Sequence, residues 1–93
     1  MKKILIAEDN ADLAELLKKG LGMENCSVTV LNDGWKVLSY LKNKENLPNA
    51  MILDLMLPGR SGYELLNTIK SVWPFTKVFI FSAHKESARM FSA

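Results

Sequence analysis

Cysteine is nearly absent. A single thiol, Cys26, in 93 residues excludes an intrachain disulfide and cannot by itself make a zinc site, which fits a reducing compartment. Cys26 reads as a small apolar side chain buried on a strand. Histidine is as scarce: His84 stands alone, a poor pattern for a metal site, and is expected at an exposed helix start. Charge of one sign is missing too. Lys and Arg total 12 against 10 for Asp and Glu, a net charge of +2, and the lysines are scattered along the chain, so neither a nucleic-acid footprint nor an acidic tail is evident. There is also no long apolar run. Met1-Lys2-Lys3 has the basic start of a signal peptide, but the run Ile4 to Ala7 gives way at once to Glu8 and Asp9. No segment is long enough to span a membrane, and the expected location is the cytoplasm. No solenoid repeat or low-complexity linker interrupts the chain.

What the chain does have is an apolar fraction of 48%, enough for the core of one small domain. Its organising stretch runs from Asn49 to Tyr63. Ala50, Met51, Ile52 and Leu53, between Pro48 and Pro58-Gly59, suit a strand buried on both faces of a parallel sheet. Asp54 ends that run. A carboxylate there is costly to desolvate unless a cation or several donors compensate it. Ser61 and Glu64 have the spacing of a capping box that opens the next helix.

The same order of apolar run and carboxylate occurs earlier, at Ile4 to Ala7 followed by Glu8 and Asp9. Asn10 is placed to cap a helix with Leu13, Leu16, Leu17 and Leu21 at helical spacing, and Gly20 and Gly22 mark its end. Cys26 to Leu31 alternates and is rich in valine and threonine, which predicts a strand nearer the sheet edge. A helix from Trp35 to about Lys42 follows. After the central strand, a helix from Gly62 to Ser71 ends at Trp73-Pro74-Phe75, Val78 to Phe81 form a fourth strand, and Lys85 to Phe91 read as helical. Arg60 reads as a solvated loop charge, and Trp35 and Trp73 as packing or surface residues.

Strands alternating with helices of this length predict right-handed βαβ crossovers, an α/β doubly wound parallel sheet, with strand order 2-1-3-4. The first and third strands would then be neighbours at the switch point, bringing Glu8, Asp9 and Asp54 into one crevice. Three converging carboxylates raise at least one pKa unless a cation is present. Oxygen-only ligands suit a hard divalent ion, and Mg²⁺ in such a setting completes its shell with waters and phosphate oxygens. Asp54 is the candidate nucleophile for a phosphoryl group, and Ser82, at the end of the adjacent strand, is placed to hydrogen-bond it.

Ile-Leu-Ile-Ala-Glu8-Asp9, Ile-Leu-Asp54-Leu-Met-Leu-Pro58-Gly59-Arg-Ser-Gly62 and Phe-Ser82-Ala83 closely resemble the receiver domain of two-component response regulators, over the whole chain. The resemblance implies a flavodoxin-like receiver fold across residues 1–93. It implies that Asp54 accepts phosphate from a sensor histidine kinase or phosphotransfer protein, with Asp9 on Mg²⁺ directly, Glu8 acting through water and the backbone carbonyl of Met56 as a further ligand. Ser82 would be the switch hydroxyl, and Pro58 and Gly62 would shape the loop. The chain would be a phosphorelay module rather than an enzyme, without direct nucleic-acid or membrane binding. The family's fifth strand, with its lysine, and last helix are expected to be absent; Lys85 follows Ser82 too closely to be that lysine. The domain is thus expected to be incomplete at its C-terminal end. Val78 to Phe81 would then present an open edge prone to self-association. The alternative is a receiver-shaped interaction module or fragment that no longer signals by phosphate. An aspartate-nucleophile phosphatase fits less well, because its usual second aspartate would fall at Met56.

Overall fold

In the computed structural model residues 2–81 and 90–92 are described, with the side chains of 2–80. Apolar runs at short intervals become strands of one sheet. β1 (Lys2–Ala7), β2 (Cys26–Leu31), β3 (Ala50–Asp54) and β4 (Lys77–Phe81) lie parallel in the order β2-β1-β3-β4, and β5 (Met90–Ser92) runs antiparallel beyond β4. The helices are α1 (Ala11–Met23), α2 (Gly34–Leu41) and α3 (Gly62–Val72), with a 3₁₀ turn at Lys44–Asn46. The expected α/β parallel sheet and its order 2-1-3-4 are therefore present.

Register fixes what reaches the top of the sheet. Ala7 pairs with Leu53 and with Leu31, so β1 and β3 end level, and the Glu8 N–H donates to the Leu31 carbonyl at 3.0 Å just past the ladder. Along β3, Met51 and Leu53 point into the core formed with Leu5, Ala7, Val78 and Ile80 from the sheet, Val37 and Leu41 from α2, Leu65 and Ile69 from α3, and Trp73 just after α3. Removing these side chains from water supplies most of the drive for folding, on the order of 1.5–3 kcal/mol for each large one.

Several local expectations change. α1 does not stop at its glycines: Gly20 and Gly22 lie inside it, and the reversal comes at Asn25 with φ +61°. Leu17 and Leu21, both half-buried, carry the helix's inner face past Gly20, and asparagine tolerates the left-handed region. Asp33 caps α2 by accepting from the Lys36 N–H at 2.8 Å. Cys26 is only half-buried, its thiol 3.8 Å from the Glu24 carbonyl, because β2 is an edge strand. Met90 and Phe91, expected in a helix, are in β5 instead. Pairing Phe79, Ile80 and Phe81 with Ser92, Phe91 and Met90 covers the part of β4 that the sequence left open. Unmet backbone donors and acceptors on an apolar edge favour such pairing over a helix. The expected helix start at His84 and Lys85 lies outside the described residues.

Candidate functional site

The crevice at the carboxyl ends of β1 and β3 forms from two buried carboxylates and one exposed one. Glu8 and Asp54 are each 1% exposed, whereas Asp9 is open to solvent. One oxygen from each of Glu8, Asp9 and Asp54 lies within 4.8 Å of the others. The convergence expected from the strand order is therefore present.

Each buried carboxylate has one backbone anchor. Glu8 Oε2 accepts from the Asn10 N–H at 2.9 Å, and Asp54 Oδ1 accepts from the Met56 N–H at 2.9 Å. Glu8 Oε1 is buried with no hydrogen-bond partner among the described residues. Burial pushes the Glu8 carboxyl up from 4.5 to about 7; the Asn10 N–H opposes this, while the nearby Asp54 and the charge of Asp9 reinforce it. An orphaned buried carboxylate oxygen beside two further carboxylates is a donor set short of a cation. Hard oxygen donors, few in number and open on the Asp9 side, fit a divalent ion that keeps waters, as Mg²⁺ does.

The loop after Asp54 is clamped from several directions. Buried Leu55 and Leu57 hold it to the core while the Met56 side chain points out. The Gly62 N–H donates to the Leu55 carbonyl at 3.3 Å, and a Cβ on Gly62 would lie 2.4 Å from Leu55 Cα. The Gly34 N–H donates to the Pro58 carbonyl at 3.0 Å, tying the loop to the start of α2. Gly59, at φ +89°, presses on the Trp35 ring, where a Cβ would come within 2.7 Å. Only glycine meets both demands there.

Arg60 departs from expectation. It is half-buried, stacks 5.1 Å from the centroid of the Trp35 ring and pairs with Glu64 at 3.0 Å. Glu64 therefore does not close a capping box. Ser61 still caps α3, accepting from the Tyr63 N–H at 3.2 Å. The signal available in the sequence was the spacing of Arg60 and Glu64, four apart across a helix start. Ser82 lies outside the described residues.

Residues 4–93 match the family model for the response regulator receiver domain. The chain is 36% identical over 70 residues to the transcriptional regulatory protein CpxR of Escherichia coli (strain K12), a match covering 75% of this chain and 29% of that protein. It thus spans less than a third of the length of that curated relative. Among solved structures it is similar to the response regulator protein TrrA from Thermotoga maritima in complex with Mg(2+)-BeF, with TM-score 0.79 and 28% identity over 92% of this chain and 73% of that one. A chain of the complex between histidine kinase ThkA and TrrA matches with TM-score 0.78 and 30% identity, covering 90% of this chain and 71% of that one.

Proposed function

Because the chain belongs to the response regulator receiver domain family, we propose that residues 1–93 act as a receiver in which Asp54 accepts a phosphoryl group from a phosphohistidine of a sensor kinase or phosphotransfer protein. The observation that carries this reading is the crevice itself: Asp54 buried at a strand end, beside Glu8 with its unpartnered Oε1 and the exposed Asp9.

Glu8, Asp9, Asp54 and the Met56 backbone carbonyl would hold Mg²⁺, which when bound neutralises charge on the transferred group. The protein's own part is to fix the nucleophile. The Met56 N–H holds Asp54 Oδ1, leaving the other oxygen to attack phosphorus as the bond to the donor imidazole nitrogen breaks and its electron pair leaves with the imidazole. The neighbouring carboxylates repel an incoming phosphoryl group unless their charge is offset, so the site works only with the cation in place. Ser82 is proposed as the hydroxyl that meets the phosphoryl oxygens. The structure of ThkA with TrrA supports a histidine kinase as the donor. The expectation that this chain makes no direct nucleic-acid contact rests on its charge alone.

Incubation with Mg²⁺ and a small acyl-phosphate donor, followed by intact mass, tests the reading. One phosphoryl adduct is expected on the wild type and none on Asp54→Asn. Equal modification of both would move the nucleophile elsewhere. An unmodified wild type that still binds Mg²⁺ would favour the interaction module.

A further inference from the structure

Trp35 is 58% exposed and stands outside the apolar core, so packing of that core does not account for it. Three successive loop residues are nevertheless shaped around the start of α2. Pro58 accepts from the Gly34 N–H, Gly59 lies against the edge of the Trp35 ring, and the Arg60 guanidinium stacks on its face. The approach is as close from the helix side, where a Cβ on Gly34 would come within 2.5 Å of Arg60 Cβ and 3.0 Å of its backbone nitrogen. The contact is thus reciprocal. In each pair of chain neighbours a glycine faces the large side chain of the other pair, Gly34 against Arg60 and Gly59 against Trp35.

Arg60 is held there against a penalty. Its Nε is buried without a hydrogen-bond partner among the described residues, and its charge is met by Glu64 and by the face of the Trp35 ring. The other end of the same loop is Met56, whose N–H holds Asp54 Oδ1. A glycine at φ +89° between the two ends gives the backbone a freedom that only its neighbours can remove. The Trp35 ring is such a neighbour.

We infer that Trp35, with Arg60 stacked on it, is a positioning residue for the acidic crevice, a role that rests on the reading of Glu8, Asp9, Asp54 and the Met56 carbonyl as the Mg²⁺ site. By holding Pro58, Gly59 and Arg60 against the start of α2, the ring fixes the backbone at Met56. Without it the loop divides among several arrangements, and the apparent Mg²⁺ affinity falls with the fraction that stays competent. A surface tryptophan with a purely structural part would act differently. It would change the stability of the fold and leave the affinity of the folded chain alone.

Three variants of the full chain test this: Trp35→Ala, Trp35→Phe, which keeps an aromatic face, and Asn49→Ala at the opposite end of the sheet. Asn49 Oδ1 accepts from the Lys3 N–H at 2.8 Å, so its loss weakens the fold away from the crevice. Thermal melting checks that each variant folds. In chelator, the Met56 and Gly62 amide protons should exchange about fivefold or more faster in Trp35→Ala, and at close to the wild-type rate in Trp35→Phe and Asn49→Ala. Calorimetric titration should show Mg²⁺ binding weakened by a similar factor in Trp35→Ala alone. Labelling of Asp54 by a small acyl phosphate should then fall at low Mg²⁺ and recover once Mg²⁺ saturates that variant. Unchanged amide exchange in Trp35→Ala would overturn the proposal, as would faster exchange with unchanged Mg²⁺ affinity, or an equal loss in Trp35→Phe or Asn49→Ala. A wild type that binds no Mg²⁺ would overturn it together with the metal site. Because exchange and Mg²⁺ binding are read without phosphate, the expected pattern in a chain that takes no phosphoryl group would support the role of Trp35 while removing Asp54 as acceptor.

Discussion

At Glu8 the fold puts a carboxyl out of reach of water, one oxygen on the Asn10 N–H and the other without a partner. Its raised pKa sets the sign of a pH effect. From about 4.5 to about 7 the folded chain retains a proton that the unfolded chain has released, so the contribution to stability is fully present below the lower value and lost as pH rises through the upper one. In chelator, the denaturant midpoint of the wild type should therefore fall across that interval more steeply than that of Glu8→Gln. Equal slopes would show that Glu8 titrates normally. Mg²⁺ should reverse the trend, since the ion binds the deprotonated carboxylates and stabilises only the folded chain. The melting temperature is expected to rise with Mg²⁺ in the wild type and to move little in Asp9→Asn. A matching rise in both would exclude Asp9 as a ligand.

Individual elements show which parts of the site were legible beforehand. β3 and β1 could be placed because both combine a short apolar run with a carboxylate at its end, and that pattern together with the strand order put Asp54 beside Glu8 and Asp9. Less legible was anything decided by contacts across the fold. Arg60 looked like a solvated charge because nothing local announces that the Trp35 ring lies beneath it. Gly20 and Gly22 looked like a helix end because of their weak helix propensity, which the half-buried Leu17 and Leu21 outweigh. Met90 and Phe91 looked helical because the demand of the β4 edge is not written in their own stretch of sequence. Gly62 has the largest consequence here. Alanine there should improve helix propensity by about 1 kcal/mol, but its Cβ would sit 2.4 Å from Leu55 Cα, and overpacking against backbone costs about 1–3 kcal/mol or more. Chemical denaturation of Gly62→Ala should show net destabilisation together with slower labelling of Asp54, because the displaced loop carries Met56. The cap at Asp33 offers a milder contrast: Asp33→Ala should cost about 1 kcal/mol and leave Mg²⁺ affinity nearly unchanged.

For the molecule as a whole, the two sheet edges differ in kind. β2 is a full-length strand with half-buried side chains, whereas β5 contributes three residues that cover Phe79 to Phe81. A chain shortened to end at residue 89 should expose that stretch of β4 and self-associate at concentrations where the full chain does not. Sedimentation velocity of the two would decide this, and identical profiles would mean that β5 protects nothing. The strand order has a further consequence, for biosynthesis. β1 is made first, yet it lies between β2 and β3, so its carboxylates wait for a neighbour that the ribosome has not yet produced. At about 5–20 residues per second, roughly 2–10 s separate synthesis of Glu8 from synthesis of Asp54. During that interval Glu8 and Asp9 are ordinary hydrated acids on a nascent chain. Their mutual repulsion with Asp54 arises only when β3 docks, making closure of the crevice a late step at which free Mg²⁺ can act on folding as it happens.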